Sequence, residues 1–213
     1  QETGVDEADI VKTDGERIFI VANGQLVVID VASRSVTGTV TVPQGDRNEL
    51  FINGDEVLLV SQGWSDGGFG EDVAIGAAEL DVDEGISIEE AEADLAIDPG
   101  PGFGFGRSRV DIRRISVGGG SRRILETMGA EGDYVSARAV DGTARIIVRS
   151  NPQYKFPFVY PQSEAGEDRA EDSNREALLE SQLSDWLPAF AIRDANGTTT
   201  DEGLLTPCGQ VHA

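Results

Sequence analysis

The sequence has few of the residues on which most catalytic and metal sites depend. Among 213 residues there are one histidine, His212, and one cysteine, Cys208. One of each cannot supply the three protein ligands of a catalytic zinc site, and no serine lies in the turn context of a hydrolase nucleophile. No glycine-rich phosphate-binding loop occurs. The sequence therefore predicts no catalytic residue, no metal site and no cofactor, and it leaves the ligand-binding residues undefined.

Long apolar runs and basic residues are also scarce. No run of about 18 apolar residues exists, so no transmembrane helix is predicted. The only lysines are Lys12 and Lys155, and the net charge is −22. Because binding to a phosphate backbone needs clustered Lys and Arg, nucleic acid is excluded as a partner. Cys208 has no second cysteine in this sequence, so it either pairs with a cysteine outside it or is a free thiol.

The negative charge is concentrated in two segments. Residues 71–98 carry eleven acids and no base, and residues 151–206 carry eleven acids against four bases. Charge at this density is typical of solvated loops rather than of a core. We therefore expect two long acidic loops attached to a less charged domain.

The first acidic segment has part of the spacing of a calcium-binding loop. Four acids occupy ligand positions of that loop: Glu79, Asp81, Asp83 and Glu90. Glu84 stands where the loop requires glycine, and no convincing helix precedes it. A solvated acidic loop is the favoured interpretation, and a calcium site is the alternative.

A short pattern that begins with a tight turn occurs three times. The copies are residues 14–21, 53–60 and 141–148. Each has Asp-Gly or Asn-Gly, then two or three mostly polar residues, then apolar ones. Asn-Gly and Asp-Gly supply the positive φ angles of tight hairpin turns, so each copy is predicted to be the second arm of a β-hairpin.

The first copy continues into a four-stranded meander. A second turn at Asn23-Gly24 leads to a continuous apolar run over residues 25–31, and residues 35–42 then alternate. The valines of this last strand are predicted to share its buried face: Val36, Val40 and Val42. The central strands are thus predicted to be buried on both faces and the last strand on one. A β-propeller blade has this order, because blades pack face to face.

The sequence therefore predicts an all-β fold, an incomplete β-propeller of about two and a half four-stranded antiparallel blades with two long insertions carrying short helices. Blade 1 spans about 9–43, blade 2 about 48–129 with an insertion at 64–107, and the first half of blade 3 about 133–150 with an insertion at 151–206. Without the first insertion, the blades repeat at the ~40–45-residue interval of WD-type propellers. The alternative is an ordinary antiparallel sandwich, in which every strand would alternate. Residues 1–213 are expected to form the N-terminal portion of one domain, with the remaining blades following.

Each insertion contains a helix signal. In the first, Ser87 and Glu90 form a capping box. In the second, Ser173 and Glu176 form another, and the predicted helix ends before Pro188. The second helix has one apolar face, made of Leu179, Leu183 and Trp186 with Leu178 and Leu187 beside it. Packing of this face on the parent domain is the favoured interpretation, and docking of a partner is the alternative.

Three acids precede the innermost predicted strand: Asp6, Glu7 and Asp9. Near the channel of a propeller such side chains can collect a cation, but carboxylates at a strand start commonly accept backbone N–H bonds. The structural use is the favoured interpretation. Arg138 is the candidate partner of one of these acids, across neighbouring blades.

The segment Gly4-Val-Asp-Glu-Ala-Asp-Ile-Val-Lys-Thr-Asp-Gly15 resembles the opening signature of a secreted bacterial and archaeal β-propeller domain family, distantly related to WD-repeat proteins. Residues 131–138, 185–188 and 207–208 are similar to later landmarks of that family, so the resemblance covers most of the chain. The acidic insertion is longer than the family pattern, and the second half of the family domain is absent. The resemblance implies an extracellular or cell-surface propeller and brings no catalytic residues.

Two functions are compatible with these observations. The favoured one is a binding or display scaffold whose two long insertions contact a protein or glycan at the cell envelope. The alternative is a propeller enzyme, a hydrolase or oxidoreductase, with acidic residues around the channel supplied mostly by the further blades.

Overall fold

The computed structural model of the protein describes residues 5–43, 45–65, 107–119, 122–151, 161, 164–207 and 209. The chain divides into two units: residues 1–65, 107–150 and 188–213 form the first, and residues 66–106 and 151–187 form the second. The first acidic segment, with its alternative calcium site, and the predicted helix at Ser87 lie outside the described residues, as do Cys208 and His212. None of the described helices is long and apolar enough to cross a membrane.

The strands described all belong to the first unit. They are β1 (Val5–Glu7), β2 (Val11–Thr13), β3 (Arg17–Ala22), β4 (Gln25–Asp30), β5 (Ser35–Thr41), β6 (Arg47–Asn53), β7 (Glu56–Ser65), β8 (Arg107–Ser116), β9 (Arg123–Glu131), β10 (Asp133–Val140), β11 (Thr143–Arg149), β12 (Ala189–Asp194) and β13 (Thr199–Leu204). They form three sheets with antiparallel pairing. The first sheet has the order β2-β3-β4-β5, the second β13-β12-β9-β8-β7-β6 and the third β1-β10-β11.

The predicted hairpins are confirmed, but positive φ at both turn residues occurs only at Asn23-Gly24 and Asp141-Gly142; at Asp14-Gly15 and Asn53-Gly54 only the glycine has it. Asn23 and Asp141 have φ angles of 51° and 50°, and each is followed by a glycine that also has positive φ. Gly54 has φ 58° and connects β6 to β7. These are the backbone angles that Asn-Gly and Asp-Gly adopt at low cost, so the local sequence determines where each strand reverses.

One detail of β5, the fourth strand of the predicted meander, differs from the prediction. Val40 and Val42 are buried, but Val36 is 59% exposed. A β-bulge shifts the register between the pairs Val28↔Gly38 and Ile29↔Val36. Because one extra residue reverses the alternation, Val36 lies on the opposite face from the other two valines.

The sheets pack face to face around two apolar clusters. The first cluster joins the first and second sheets and contains Phe19, Leu26, Val28, Val40, Val42, Leu50, Val57, Leu59, Ile115 and Val117. The second cluster joins the second and third sheets and contains Phe51, Val60, Val110, Tyr134 and Ala137. Successive residues of β6, Leu50 and Phe51, therefore belong to different clusters, as strand alternation requires. The second sheet is covered on both faces by its neighbours.

A hairpin that the sequence analysis does not predict extends the second sheet. Residues 189–204 fall within the predicted insertion, yet they form β12 and β13, and β12 pairs with β9. The turn between them includes Asn196-Gly197, where Gly197 has φ 84°. The second sheet therefore has six strands instead of the four expected of a blade.

The second unit contains one described α-helix, α1 (Glu164–Glu180), followed by a 3-10 helix (Leu183–Trp186). The predicted start at Ser173 is wrong, because Ser173 lies inside α1. The preceding residues are mostly good helix formers, and an ion pair of 2.7 Å between Arg175 and Glu171 spans one helical turn. After Glu180 the chain turns, and the Ser181 hydroxyl donates to the carbonyl of Leu178 over 2.7 Å.

Candidate functional site

A single segment near the N-terminus pairs with all three sheets. We call residues 5–13 the edge segment. Its first part, β1, pairs with β10 of the third sheet. Asp9 then forms an isolated bridge to Leu50 of the second sheet, in which the Leu50 amide donates to the Asp9 carbonyl over 2.7 Å. Its last part, β2, is the end strand of the first sheet. The edge segment thus ties together three separate sheet edges.

One acid of the edge segment, Asp6, pairs with a cation that belongs to the chain itself. The Lys12 ammonium lies 2.6 Å from Asp6 Oδ1 and donates to the carbonyl oxygen of Glu7. It also lies 5.9 Å from the centre of the Phe51 ring, within the range of a cation–π contact. The Lys12 side chain is only 13% exposed. Lys12, which the sequence analysis does not select, therefore neutralises the carboxylate at the start of the segment.

Arg138 pairs with one of the predicted acids, and that acid is Glu7. Their side chains are 3.8 Å apart and mostly exposed, so the pair contributes little to stability. The expectation of a contact across neighbouring blades is wrong, because Glu7 and Arg138 are register partners within one sheet. The Asp9 carboxylate instead accepts the amide of Ile10 over 2.7 Å. In the part of the chain that the structure describes, no group of three or more His, Cys, Asp or Glu could hold a metal ion.

Other acids in this unit have turn-forming roles. Asp30 accepts hydrogen bonds from the hydroxyl and the amide of Ser33, and these lower its pKa. The amides of Thr198 and Asn196 lower the pKa of Asp194 in the same way. Carboxylates that receive amide hydrogen bonds are held ionised. This is the structural use favoured by the sequence analysis, although at acids that it does not name.

The buried charges of the second sheet are also satisfied. Arg113 bonds to Asp111 over 2.8 Å and to the Ser61 hydroxyl over 3.2 Å, and burial lowers its pKa. Glu131 accepts the amide of Ala189 over 2.9 Å at the start of β12. Among the described residues, no buried side-chain nitrogen or oxygen lacks a hydrogen-bond partner. The buried charges of the second sheet are therefore paired within the fold.

A polar network joins the second and third sheets. The Tyr134 hydroxyl donates to Glu49, and the Arg47 guanidinium lies 4.8 Å from the centre of the Tyr134 ring and 2.6 Å from the Glu49 carboxylate. Burial, then the hydrogen bond to Glu49 and its charge, raise the pKa of Tyr134 well above its usual value. The Gln62 side chain accepts the Tyr134 amide and donates to Ser108 over 2.7 Å. These hydrogen bonds join the second and third sheets.

Residues of the second and third sheets and of their connections line a cavity of about 250 Å³. The side chains on its walls are mostly apolar, and they come from Ile112, Met128, Ala130, Ile146, Val148, Ser150, Pro188, Leu205 and Thr206. Both chain ends of the second inserted segment, at Ser150 and Pro188, therefore lie at this cavity.

Three antiparallel sheets that stack face to face and share one edge segment are the arrangement of propeller blades. A family model described as Beta propeller domain matches residues 1–213. The chain belongs to the beta propeller domain family. No curated protein and no solved structure matches the chain. The first, second and third sheets are accordingly called blades 1, 2 and 3, and the predicted all-β propeller fold is confirmed.

Both inserted segments leave the propeller at the same end of its blades. Ser65 and Arg107 are register partners at the ends of β7 and β8. Next to Arg107, the Ser108 carbonyl accepts the amide of Gly132 over 2.8 Å. Gly132 precedes the first residue of β10, Asp133, which pairs with Arg149 at the end of β11. The second inserted segment follows directly, after Ser150. We call this end of the blades the insertion end. It is the candidate functional face of the propeller.

Proposed function

We propose that the protein is a secreted or cell-surface β-propeller that acts as a binding and display scaffold at the cell envelope. In this proposal the segments that leave the insertion end contact a protein or a glycan. One observation carries it: residues 66–106 and 151–187, which are separated along the chain, both begin and end at one face of the propeller. Binding residues in many folds lie on loops held by a rigid scaffold.

Two further observations support the proposal. The opening signature resembles that of a secreted propeller family, which favours an extracellular or surface location. Most of the negative charge of the chain lies in the two inserted segments, so these segments differ chemically from the blades.

The described carboxylates of the edge segment favour a scaffold over an enzyme. Asp6 is neutralised by Lys12, Glu7 lies beside Arg138, and Asp9 accepts a backbone amide. A general acid or base needs a carboxyl that is available to a substrate. A propeller enzyme with channel residues supplied by further blades stays a prediction.

The first inserted segment can be removed without breaking a strand. Because Ser65 pairs with Arg107, replacing residues 66–106 by Asn-Gly closes β7 and β8 into a two-residue hairpin. We expect the wild-type protein to sediment with isolated cell envelopes of its native host and the shortened variant to stay in the supernatant. Equal thermal unfolding of the two proteins shows that the blades are intact. Equal sedimentation of both would contradict the proposal.

Pretreatment of the envelopes separates the two partner classes. Loss of binding after periodate oxidation identifies a glycan, and loss after protease digestion identifies a protein. Protease accessibility of the protein on intact native cells tests the proposed location, since an internal protein would be protected.

A further inference from the structure

Three leucines at the end of α1 are exposed. Leu179 is 79% exposed, Leu183 47% and Leu178 41%. The sequence analysis leaves two interpretations of this helix face, packing on the parent domain and docking of a partner, and the exposed leucines favour the second. Ala170 and Leu187 in the same segment are buried. We call Leu178, Leu179 and Leu183 the leucine patch.

The leucine patch lies on an ordered part of the chain. The Ser181 hydroxyl donates to the Leu178 carbonyl over 2.7 Å and accepts the Trp186 indole N–H over 3.0 Å. The Asp185 carboxylate accepts the Gln182 amide over 2.7 Å. These bonds fix the 3-10 helix to the end of α1. A surface that is ordered before binding loses less conformational entropy when a partner docks.

The surroundings of the patch are negative. Residues 164–187 contain eight acids and two arginines. Arg175 is already paired with Glu171 and Asp172, at 2.7 and 3.7 Å. The acids closest to the leucines in sequence are Glu176, Glu180 and Asp185, and all three are exposed. An apolar patch with an acidic rim is complementary to apolar side chains flanked by cations.

We propose that the leucine patch is a docking surface for a cationic amphipathic segment of another protein. Apolar side chains of that segment cover the leucines, and its Lys or Arg side chains face Glu176, Glu180 and Asp185. A second copy of this chain would bring the same negative rim and repel, as would an anionic lipid surface. The inference rests on the proposed scaffold function and names the class of its protein partner.

The test uses a fluorescently labelled helical peptide of leucine and lysine, whose binding to the whole protein is followed by anisotropy. We expect saturable binding that the double variant Leu179→Ser/Leu183→Ser weakens by about tenfold or more. Val36→Ser, which removes an exposed apolar side chain from blade 1, is the matched control and should bind as wild type. Glu176→Gln/Glu180→Gln should weaken binding and reduce its dependence on salt. If the double variant loses helix by circular dichroism, Leu179→Ser alone replaces it.

Three results would overturn the inference. The first is equal binding by the wild type and the leucine variant. The second is equally tight binding of a lysine and serine peptide, which would show attraction by charge alone. The third is a dimer of the free protein that the leucine variant abolishes, which would place a second copy on the patch. Envelope sedimentation is measured in parallel: if it persists while the peptide does not bind, the inference fails and the proposed function stands.

Discussion

The two junctions between blades are held by different interactions. Between blades 1 and 2, the cluster of ten buried apolar residues fills the interface, and Arg17 crosses it to reach Asp55 over 2.7 Å and the Gly54 carbonyl over 2.9 Å. Between blades 2 and 3, the cluster has five buried residues. Partly buried apolar residues pack against these five. This junction also contains the Tyr134 network and borders the cavity of about 250 Å³.

The side chains at each junction explain the difference. Phe19, Leu26 and Leu59 provide large surfaces between blades 1 and 2, and all three are fully buried. Blade 3 offers small residues at many facing positions, such as Ala137, Ala139 and Ala144. Small side chains bury less apolar surface. Hydrogen bonds therefore contribute a larger share of the stability of the junction between blades 2 and 3. We expect blade 3 to unfold locally more readily than blades 1 and 2.

The largest loss of stability is expected when a large side chain is removed from the junction between blades 1 and 2. Phe19→Ala should lower the free energy of unfolding by about 3–5 kcal/mol, because it leaves a void in a filled interface. Met128→Ala, on the wall of the existing cavity, should cost clearly less. Urea denaturation of both variants checks this. Equal costs would show that the two junctions are packed alike.

Gly132 tests how closely the backbones of blades 2 and 3 approach. It has φ 127°, and a Cβ atom there would lie 2.7 Å from the Arg149 carbonyl oxygen. Gly142 also has positive φ, but a Cβ there would meet nothing within 4 Å. Gly132→Ala should therefore destabilise by about 2–3 kcal/mol and Gly142→Ala by about 1 kcal/mol. Thermal unfolding compares the two. The close approach is refuted if both alanines cost the same.

Tyr134 tests the polar part of the second junction. Tyr134→Phe should cost about 1–3 kcal/mol at neutral pH, because it removes a hydrogen bond to a charged group. Since the pKa of Tyr134 is raised in the folded state, its contribution is full below the usual tyrosine pKa of about 10 and is lost as pH rises above that value. Absorbance titration near 295 nm should show a late-ionising component that Tyr134→Phe lacks. A titration unchanged by the substitution would contradict the network.

The smallest loss of stability is expected from breaking the Arg17–Asp55 ion pair between blades 1 and 2. Asp55 is 68% exposed, so Asp55→Ala should cost less than about 1 kcal/mol. The cost should fall further in high salt, because exposed charges are screened. Unfolding in low and high salt measures this. A much larger cost that high salt removes would mean that the ion pair, rather than the apolar cluster, holds blades 1 and 2 together.

Local patterns predict much of this fold. The Asn-Gly and Asp-Gly turns and the apolar runs that follow them predict the hairpins of all three blades, because turn angles and alternation depend on neighbouring residues. An Asn-Gly turn is also present at Asn196-Gly197, after the apolar residues 189–192, but residues 198–203 that follow it contain no large apolar side chain. This weaker signal for the β12–β13 hairpin is missed when the whole acidic segment is treated as one insertion.

Contacts between distant residues could not be predicted in this way. β1 is three residues long, and nothing in them specifies pairing with β10. The Tyr134 amide and its acceptor Gln62 are 72 positions apart. Lys12 lies between two exposed strand residues in the burial pattern, so its contact with Asp6 depends on how the edge segment crosses the sheets. The partners of Asp6, Glu7 and Asp9 likewise depend on the three-dimensional fold.

The edge segment has a consequence for how the protein is made. Val5 pairs with Val140, so a ribosome that adds about 5–20 residues per second exposes β1 on the order of ten seconds before β10 exists. The growing chain can complete blade 1 during that interval, because β2 to β5 are consecutive. Residues 5–7 are therefore synthesised well before their partner strand and pair among the last.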